Sequence, residues 1–165
     1  MKKNVSKNLK IVCNQIGSNT KKIILLNQIH SNKFLFIDKN SKSINKKFKG
    51  DALVTNRTNT PIAILTADCA PILIHDQSKK MIAAIHAGWK GAFKEIVKNV
   101  TKFMIKKGCS PKNMTAVIGP CISLKNYEVK QDFIKKFIKK DKKNKIFFKK
   151  INNKDHFNLK QYIHY

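Results

Sequence analysis

Short apolar runs separated by polar segments mark most of the chain. Runs of this length, bounded by turn residues and rich in branched or aromatic residues, are typical of buried strands. Residues 1–22 and 38–49 are instead polar and lysine-rich, although the first of these segments contains a small apolar island at residues 11–13. The predicted strands occupy residues 22–28, 34–37, 52–55, 62–66, 72–75, 81–86 and 114–118, with a further one at residues 147–148.

A period of three to four residues appears in other segments and predicts helices. The longest covers residues 88–107 and is followed by Gly108, a residue typical of helix ends. Residues 128–140 have an amphipathic helical pattern, and residues 159–165 resemble the first turns of another helix. Strands mixed with helices in this way predict an α/β (α+β) layered sandwich, with a mixed β-sheet and flanking helices in a single domain over residues 1–165.

The length of the chain and its lack of long apolar segments narrow its class. A chain of 165 residues fits one domain. No apolar run reaches the roughly 18 residues that a membrane-spanning helix needs, so we expect no membrane association. The basic N-terminus is not followed by the apolar region of a secretory signal, which predicts a cytoplasmic protein with reduced thiols. The four cysteines are then better explained as ligands, nucleophiles or core residues than as disulfides.

The net charge of +26 permits two explanations. A basic nucleic-acid-binding module would carry such a charge. However, Arg57 is the sole arginine, whereas proteins that recognise nucleic-acid sequences usually rely on the bidentate geometry of arginine. We favour the other explanation, a solvated, lysine-rich surface, which would still attract anionic substrates. We therefore expect no specific nucleic-acid binding and keep that module as an alternative.

Three potential metal ligands, His30, Cys69 and His86, each directly follow a predicted strand. Side chains that follow strands at one rim of a sheet are held rigidly and often form a site. One thiolate and two imidazoles suit zinc, with a fourth position open for water or substrate, and copper also accepts this donor set. Cys69 could instead act as a nucleophile with His86 and Asp68, and each of the three ligands could simply be a structural residue.

Two further polar residues are candidates for chemistry near these ligands. Asp68 could act as a general base, orient a ligand histidine, or merely close a turn. Lys90 follows Gly88 at the start of the predicted long helix, where an anion such as phosphate could bind. Lys90 could equally be a solvent-facing lysine, and Trp89 beside it could stack on a base or belong to the core.

Several motifs stand in an order that resembles one protein family. They are Asn27-Gln28-Ile29-His30, Asp51-Ala52-Leu53-Val54-Thr55, Thr66-Ala67-Asp68-Cys69, His86-Ala87-Gly88-Trp89, Ile118-Gly119-Pro120-Cys121 and Tyr127-Glu128-Val129. The family was once described as multicopper polyphenol oxidase or laccase-domain proteins and is now described as purine nucleoside phosphorylases. The resemblance covers roughly residues 8–140.

The resemblance implies a zinc-dependent enzyme that phosphorolyses adenosine, inosine and methylthioadenosine and also deaminates adenosine. It implies zinc, or copper, on His30, Cys69 and His86, with purine nucleosides and phosphate as partners. Within that frame we expect Asp68 and Cys69 to be catalytic, with Asp68 moving a proton, and Lys90 to bind substrate or phosphate. The family fold that it implies is a layered α/β sandwich.

The sequence departs from the family pattern in a few places. The family commonly has arginine at the position of Lys90 and often glycine at the position of Ser31. Family chains usually begin with a further glycine-containing segment and end with an aromatic, arginine-rich tail, and neither is found here. These differences favour, as a second alternative, an inactive truncated member that lacks N- and C-terminal segments of the full family fold.

Overall fold

A five-stranded mixed sheet organises the fold in the computed structural model, which describes residues 2–17, 22–41 and 48–165. The strand order is β1-β2-β4-β3-β5; β1 and β2 are parallel, and the other neighbours are antiparallel. With helices flanking the sheet, this arrangement confirms the predicted α/β class. The strands are β1 (Phe34–Ile37), β2 (Ala52–Thr55), β3 (Ala70–Asp76), β4 (Met81–Ala87) and β5 (Met114–Ile118).

The confirmed strand predictions are those at residues 34–37, 52–55, 72–75, 81–86 and 114–118. Their burial explains the patterns in the sequence. β4 lies between β2 and β3 and is buried almost throughout, which accounts for its continuous apolar run. Alternate residues of β3 are exposed, because one face of this strand packs on the core and the other faces solvent.

The predicted strands at residues 22–28 and 62–66 are wrong. Apart from two hydrogen bonds between the Gln28 side chain and the Leu65 backbone, these segments meet through an isolated parallel bridge between Ile24 and Ile62. Two hydrogen bonds support it, one from Ile24 N to Pro61 O at 2.9 Å and one from Ala63 N to Ile24 O at 3.0 Å. Pro61 has no N–H, so the ladder cannot continue on the N-terminal side of the bridge.

The N-terminal segment forms a helix that the sequence prediction missed. Helix α1 spans Lys2–Gln15, within the segment predicted to be polar and irregular. Leu9 and Cys13 stand four residues apart, a helical spacing, and Cys13 is only 2% exposed. Because lysines surround this short apolar stripe, the helical pattern was not recognised in the sequence. Within the loop predicted at 38–49, residues 42–47 lie outside the described part of the chain, as do residues 18–21 of the N-terminal segment.

The predicted helix over residues 88–107 is two helices, α2 (Trp89–Phe93) and α3 (Ile96–Lys106). Glu95 separates them with a left-handed backbone, φ 62°, which a continuous right-handed helix cannot contain. No glycine or proline marks the break, so the sequence pattern does not reveal it. After the break, α3 packs on the sheet through a fully buried face. This face consists of Ile96, Val100 and Met104.

The C-terminal part packs an aromatic cluster beside the sheet. Helix α4 (Gln131–Lys140) confirms the predicted helix but begins three residues later, and helix α5 (Leu159–His164) confirms the last one. Of the predicted strand at residues 147–148, Phe147 ends a 3₁₀ helix (Lys142–Phe147) and only Phe148 belongs to a strand. That strand, β6 (Phe148–Ile151), forms a hairpin with β7 (Lys154–Phe157), which was not predicted. The cluster comprises Trp89, Phe133, Phe137, Phe148, Phe157 and Tyr162.

No helix in the described part of the chain is long and apolar enough to cross a membrane. This result agrees with the absence of a long apolar run in the sequence.

Asp76, at the end of β3, makes stability depend on pH. Its carboxylate is fully buried and accepts hydrogen bonds from Lys79 N at 2.8 Å, Ser78 Oγ at 2.8 Å and Ser110 N at 3.1 Å. The Lys79 bond contributes most to holding the pKa of Asp76 below its ordinary value, against the opposing effect of burial. A carboxyl whose folded pKa is lowered stabilises the fold above its unfolded pKa of about 3.9, and this stabilisation is lost as the pH falls through the folded pKa.

We therefore expect Asp76→Asn to lower the free energy of unfolding at neutral pH. The difference from the unsubstituted chain should shrink as the pH falls below about 4, because protonation then removes the same charge. Urea unfolding at a series of pH values measures both quantities. A difference that stays constant down to the acid limit would contradict this role of Asp76.

Candidate metal centre

Antiparallel pairing brings the three candidate ligands to one end of the sheet. Cys69 directly precedes β3, and His86 is the penultimate residue of β4, opposite Pro71. β3 begins where β4 ends, so both side chains lie at the same end. All three ligands were predicted to follow strands directly, but His30 lies in the loop before β1, Cys69 precedes a strand, and His86 lies within one.

The three side chains are close enough to share one ion. The Cys69 Sγ atom lies 3.8 Å from His30 Nε2, and the rings of His30 and His86 meet edge to face with centroids 4.8 Å apart. One ligand atom from each residue falls within 4.8 Å of the other two. His86 is buried, Cys69 is half-buried and His30 is exposed, so the group opens toward solvent on the His30 side.

The spacing of one donor pair is close to that in a zinc site of ordinary coordination. Zinc bonds of about 2.3 Å to sulfur and 2.0–2.1 Å to nitrogen, at a tetrahedral angle, place the two donors about 3.6 Å apart. The separation of 3.8 Å between Cys69 Sγ and His30 Nε2 is therefore close to the value in a bound state. Two imidazoles and one thiolate also suit copper, so the donor set leaves the choice of metal open.

Asp51 contacts two of the three candidate ligands, His30 and His86, and was not predicted as a site residue. One of its carboxylate oxygens lies 2.9 Å from His86 Nδ1. An imidazole that donates from Nδ1 to a carboxylate has the proper tautomer and orientation for binding a metal through Nε2. The only sequence sign was the position of Asp51 before a buried strand, in a motif that was recognised without a role for its carboxylate.

The same carboxylate also fixes the loop that carries His30. Asp51 accepts hydrogen bonds from the backbone N–H groups of Ile29 at 3.1 Å, His30 at 2.9 Å and Ser31 at 2.5 Å, and from Ser31 Oγ at 2.7 Å. Three successive amides can converge on one anion because His30 adopts a left-handed backbone with φ 55°. Asp51 thus holds two ligands, His30 through the backbone and His86 through the ring.

These hydrogen bonds keep Asp51 ionised although it is fully buried. Burial alone raises the pKa of a carboxyl group, and here it is the largest single influence. The bonds from the side chain and backbone of Ser31, from His86 and from the His30 backbone together outweigh burial and lower the pKa of Asp51.

Gly88 leaves the space in which Cys69 and His30 approach each other. A Cβ atom at position 88 would lie 2.7 Å from Cys69 Sγ and 3.0 Å from His30 Cδ2. Contacts this short do not occur between ordinary side-chain atoms, so any larger residue would displace at least one of the two candidate ligands.

A small cavity adjoins Cys69. Its volume is about 140 Å³, and its lining comprises Asp68, Cys69, Trp89, Ile122, Tyr127 and Leu159. The Asp68 side chain is exposed, and its carbonyl oxygen accepts a hydrogen bond from Ile122 N at 2.9 Å. The sequence analysis considered that Asp68 could orient a ligand histidine. In the structure the carboxylate that contacts the His86 ring is that of Asp51.

The environment of Cys69 does not favour a free thiolate nucleophile. Burial raises the pKa of its thiol, and the nearby carboxylates of Asp68 and Asp51 raise it further. Activated cysteine nucleophiles have the opposite surroundings, with cations that lower the pKa. A bound metal cation would itself deprotonate the thiol, so a ligand role suits this environment better than a nucleophile paired with a histidine.

Lys90 lies near Trp89, which lines the cavity, and stands on a shorter helix than predicted. It is exposed, and its Nζ atom lies 5.7 Å from the centre of the Trp89 ring. A second ammonium group, that of Lys136, lies 5.0 Å from the same centre. Since α2 has only five residues, the anion site expected at the start of a long helix reduces to the side-chain charge of Lys90.

The family model described as multi-copper polyphenol oxidoreductase laccase matches residues 1–165. The chain belongs to this family. Among curated proteins, it is 37% identical over 135 residues to a purine nucleoside phosphorylase of Rickettsia prowazekii, covering 82% of this chain and 54% of that protein. It is 40% identical over 126 residues to a purine nucleoside phosphorylase of Rickettsia conorii, covering 76% of this chain and 50% of that protein. The chain thus spans about half the length of these relatives.

Solved structures share the fold of this family member. A hypothetical protein YfiH from Bacillus licheniformis superposes with a TM-score of 0.85 at 24% identity, covering 99% of this chain and 64% of that one. The protein NMB0706 from Neisseria meningitidis superposes with a TM-score of 0.75 at 28% identity, covering 93% of this chain and 60% of that one. The resemblance found in the motifs is confirmed, and it extends beyond residues 8–140 to the whole chain.

Proposed function

We propose that this family member is a zinc-dependent purine nucleoside phosphorylase that acts on adenosine, inosine and methylthioadenosine and also deaminates adenosine. The observation that carries the proposal is the convergence of His30, Cys69 and His86 on one point, with Asp51 holding both histidines. The names of the relatives, purine nucleoside phosphorylases, support the same substrate class. We propose a cytoplasmic enzyme with purine nucleosides and phosphate as its partners.

In this proposal the Nε2 atoms of His30 and His86 and the Sγ atom of Cys69 hold the metal. When bound, zinc supplies Lewis-acid polarisation of an oxygen atom of phosphate or water. The protein's own contribution is a rigid arrangement of donors, because Asp51 fixes the His86 ring and the His30 loop before any substrate arrives.

In the proposed reactions Lys90 orients phosphate and Asp68 transfers protons. In phosphorolysis a phosphate oxygen forms a bond to the anomeric carbon of the ribose while the bond from that carbon to the base nitrogen breaks, and the base leaves with the electron pair. The Lys90 ammonium is exposed near the ring of Trp89, a residue of the cavity wall, and in this proposal it orients the phosphate oxygens for the attack. Asp68, at the edge of the cavity, moves protons: to the departing base, or from water to the leaving ammonia in deamination.

Product analysis with the zinc-loaded chain tests the proposal. We expect adenosine and phosphate to give adenine and ribose 1-phosphate, and adenosine alone to give inosine and ammonia. Both reactions should be lost in Cys69→Ala. Lys90→Ala should raise the KM for phosphate roughly tenfold while leaving deamination nearly unchanged, since only phosphorolysis uses the anion.

Lys112→Ala is the matched control, because it removes the same charge near the opposite end of the sheet, two residues before β5. An unchanged KM for phosphate in Lys90→Ala, or equal effects in both variants, would contradict the role of Lys90. Metal binding without either reaction would overturn the proposed activity and favour the inactive family member.

A further inference from the structure

Ammonium groups and aromatic rings alternate along one surface formed by helices α2 and α4. Lys90 Nζ lies 5.7 Å from the centre of the Trp89 ring, and Lys136 Nζ lies 5.0 Å from the same centre. Lys136 Nζ also lies 5.6 Å from the centre of the Phe93 ring, and Lys140 Nζ lies 4.8 Å from that centre. We call this set the lysine–aromatic row: Lys90, Trp89, Lys136, Phe93 and Lys140.

Contacts within the protein hold the members of the row in place. The negative face of an aromatic ring attracts an ammonium group, which restrains the lysine side chains. The rings are restrained in turn, because Trp89 packs edge to face on Phe133 at 5.0 Å between centroids and Phe93 packs on Phe137 at 4.9 Å. Side chains that are already restrained lose less freedom when they bind a partner, so the row is prepared for binding.

Most of the positive charge of the row is available to a partner. Among the described residues, neither Lys90 nor Lys136 forms an ion pair, and both are exposed. Lys140 is partly neutralised, because its Nζ atom lies 3.6 Å from a carboxylate oxygen of Glu95, and it also donates to the carbonyl oxygen of Phe93. The two rings are half-buried, so the row presents ammonium groups beside part of two aromatic surfaces.

A single strand of nucleic acid offers the groups that complement this row. Its phosphates would lie against the ammonium groups, and its unpaired bases would contact the exposed parts of the rings. Proteins that bind single strands without sequence preference combine the same two features. The bases of a duplex are stacked inside it and could not reach the rings. Recognition of particular bases is not expected, because the row has no arginine, and Arg57 lies two residues after β2.

We propose that the lysine–aromatic row binds single-stranded nucleic acid without sequence preference. The inference goes beyond the proposed function, because it concerns a surface of α2 and α4 and needs neither a metal ion nor turnover. The net charge of +26 attracts polyanions to the molecule as a whole. The row then determines where on the surface the strand lies.

Binding of a fluorescein-labelled oligouridylate of about ten nucleotides to the full chain tests the proposal. This probe contains no purine, so its binding is separate from the proposed purine reactions. Trp89 is the sole tryptophan, and its emission should be quenched when the strand binds. We expect the double variant Lys136→Gln/Lys140→Gln to weaken binding at least about tenfold. The slope of log affinity against log salt should fall by about 1.4, since each phosphate contact on a single strand contributes about 0.7.

The double variant Lys149→Gln/Lys150→Gln is the matched control. It removes the same charge from two exposed lysines of β6 that do not belong to the row. We expect its affinity for oligouridylate to stay within about threefold of that of the unsubstituted chain, because only the general attraction is reduced. Urea unfolding shows whether both variants are as stable as the unsubstituted chain.

Several results would overturn the proposal. Equal losses of affinity in the two double variants would show that only the overall charge binds the strand. Unchanged Trp89 emission, or equally tight binding of a duplex of the same length, would contradict contact between unpaired bases and the rings. Binding to phosphatidylserine vesicles that depends on Lys136 and Lys140, without binding to oligouridylate, would replace nucleic acid with a membrane surface as the partner.

Discussion

Replacing Gly88 with alanine is expected to weaken metal binding by at least about 100-fold and to remove turnover. The added Cβ atom would lie 2.7 Å from Cys69 Sγ and 3.0 Å from His30 Cδ2, so one of the two donors must move. Zinc ligands tolerate distance errors of only about 0.2 Å, and a displacement of the size required here exceeds that tolerance. Titration of the metal-free chain with zinc measures the loss.

Gly119→Ala is the control for crowding as such. A Cβ atom at position 119 would lie 2.9 Å from Pro71 Cγ, a comparably short contact that involves no candidate ligand. We expect this variant to lose some stability but to keep its zinc affinity within about threefold, because the donors stay in place. Equal zinc affinities of Gly88→Ala and the unsubstituted chain would show that these three donors do not bind the metal.

Substituting Asp51 with asparagine is expected to produce the second large effect, on folding and metal binding together. The amide keeps the shape of the carboxylate but must direct its NH₂ group toward donors, either the backbone amides of residues 29–31 or His86 Nδ1. Leaving such buried donors unsatisfied and removing the charge costs about 2–4 kcal/mol of unfolding free energy. Loss of the carboxylate behind a ligand histidine typically lowers metal affinity by about 10–100-fold.

Asp76→Asn is the matched control for Asp51→Asn. Asp76 is also fully buried and also accepts hydrogen bonds from backbone amides, but it stands at the other end of β3, about 20 Å from Cys69 at the ordinary rise per residue. Both variants should unfold at lower urea concentrations in the presence of a chelator. Only Asp51→Asn should lose zinc affinity, and a similar loss in both variants would contradict the supporting role of Asp51.

The elements that the sequence predicted correctly are those where burial leaves a clear pattern. β4 is buried on both faces and is continuously apolar, and the helix α4 buries Phe137 on one side of a lysine-rich surface. The positions of His30, Cys69 and His86 were suggested by apolar runs and by the family motifs. Their convergence depends on antiparallel pairing of β3 and β4, which strand predictions alone do not specify.

The missed features depend on tertiary contacts that have no local signature. Glu95 lies between two helices with a left-handed backbone, and no glycine or proline in the sequence marks this break. The role of Asp51 is visible only when residues 29–31 and His86, distant in sequence, surround its carboxylate. Likewise, the Tyr127 motif was recognised, but its place in the cavity beside Cys69 required the fold.

The most direct test of the central claim is the metal content of the purified chain after incubation with zinc and removal of the excess. We predict about one zinc ion per chain, and none in Cys69→Ala. Cys121→Ala replaces another half-buried cysteine that is not among the three ligands, and it should keep the full amount. Failure of the unsubstituted chain to retain zinc, or equal retention by Cys69→Ala, would contradict the assignment of His30, Cys69 and His86 as a metal centre.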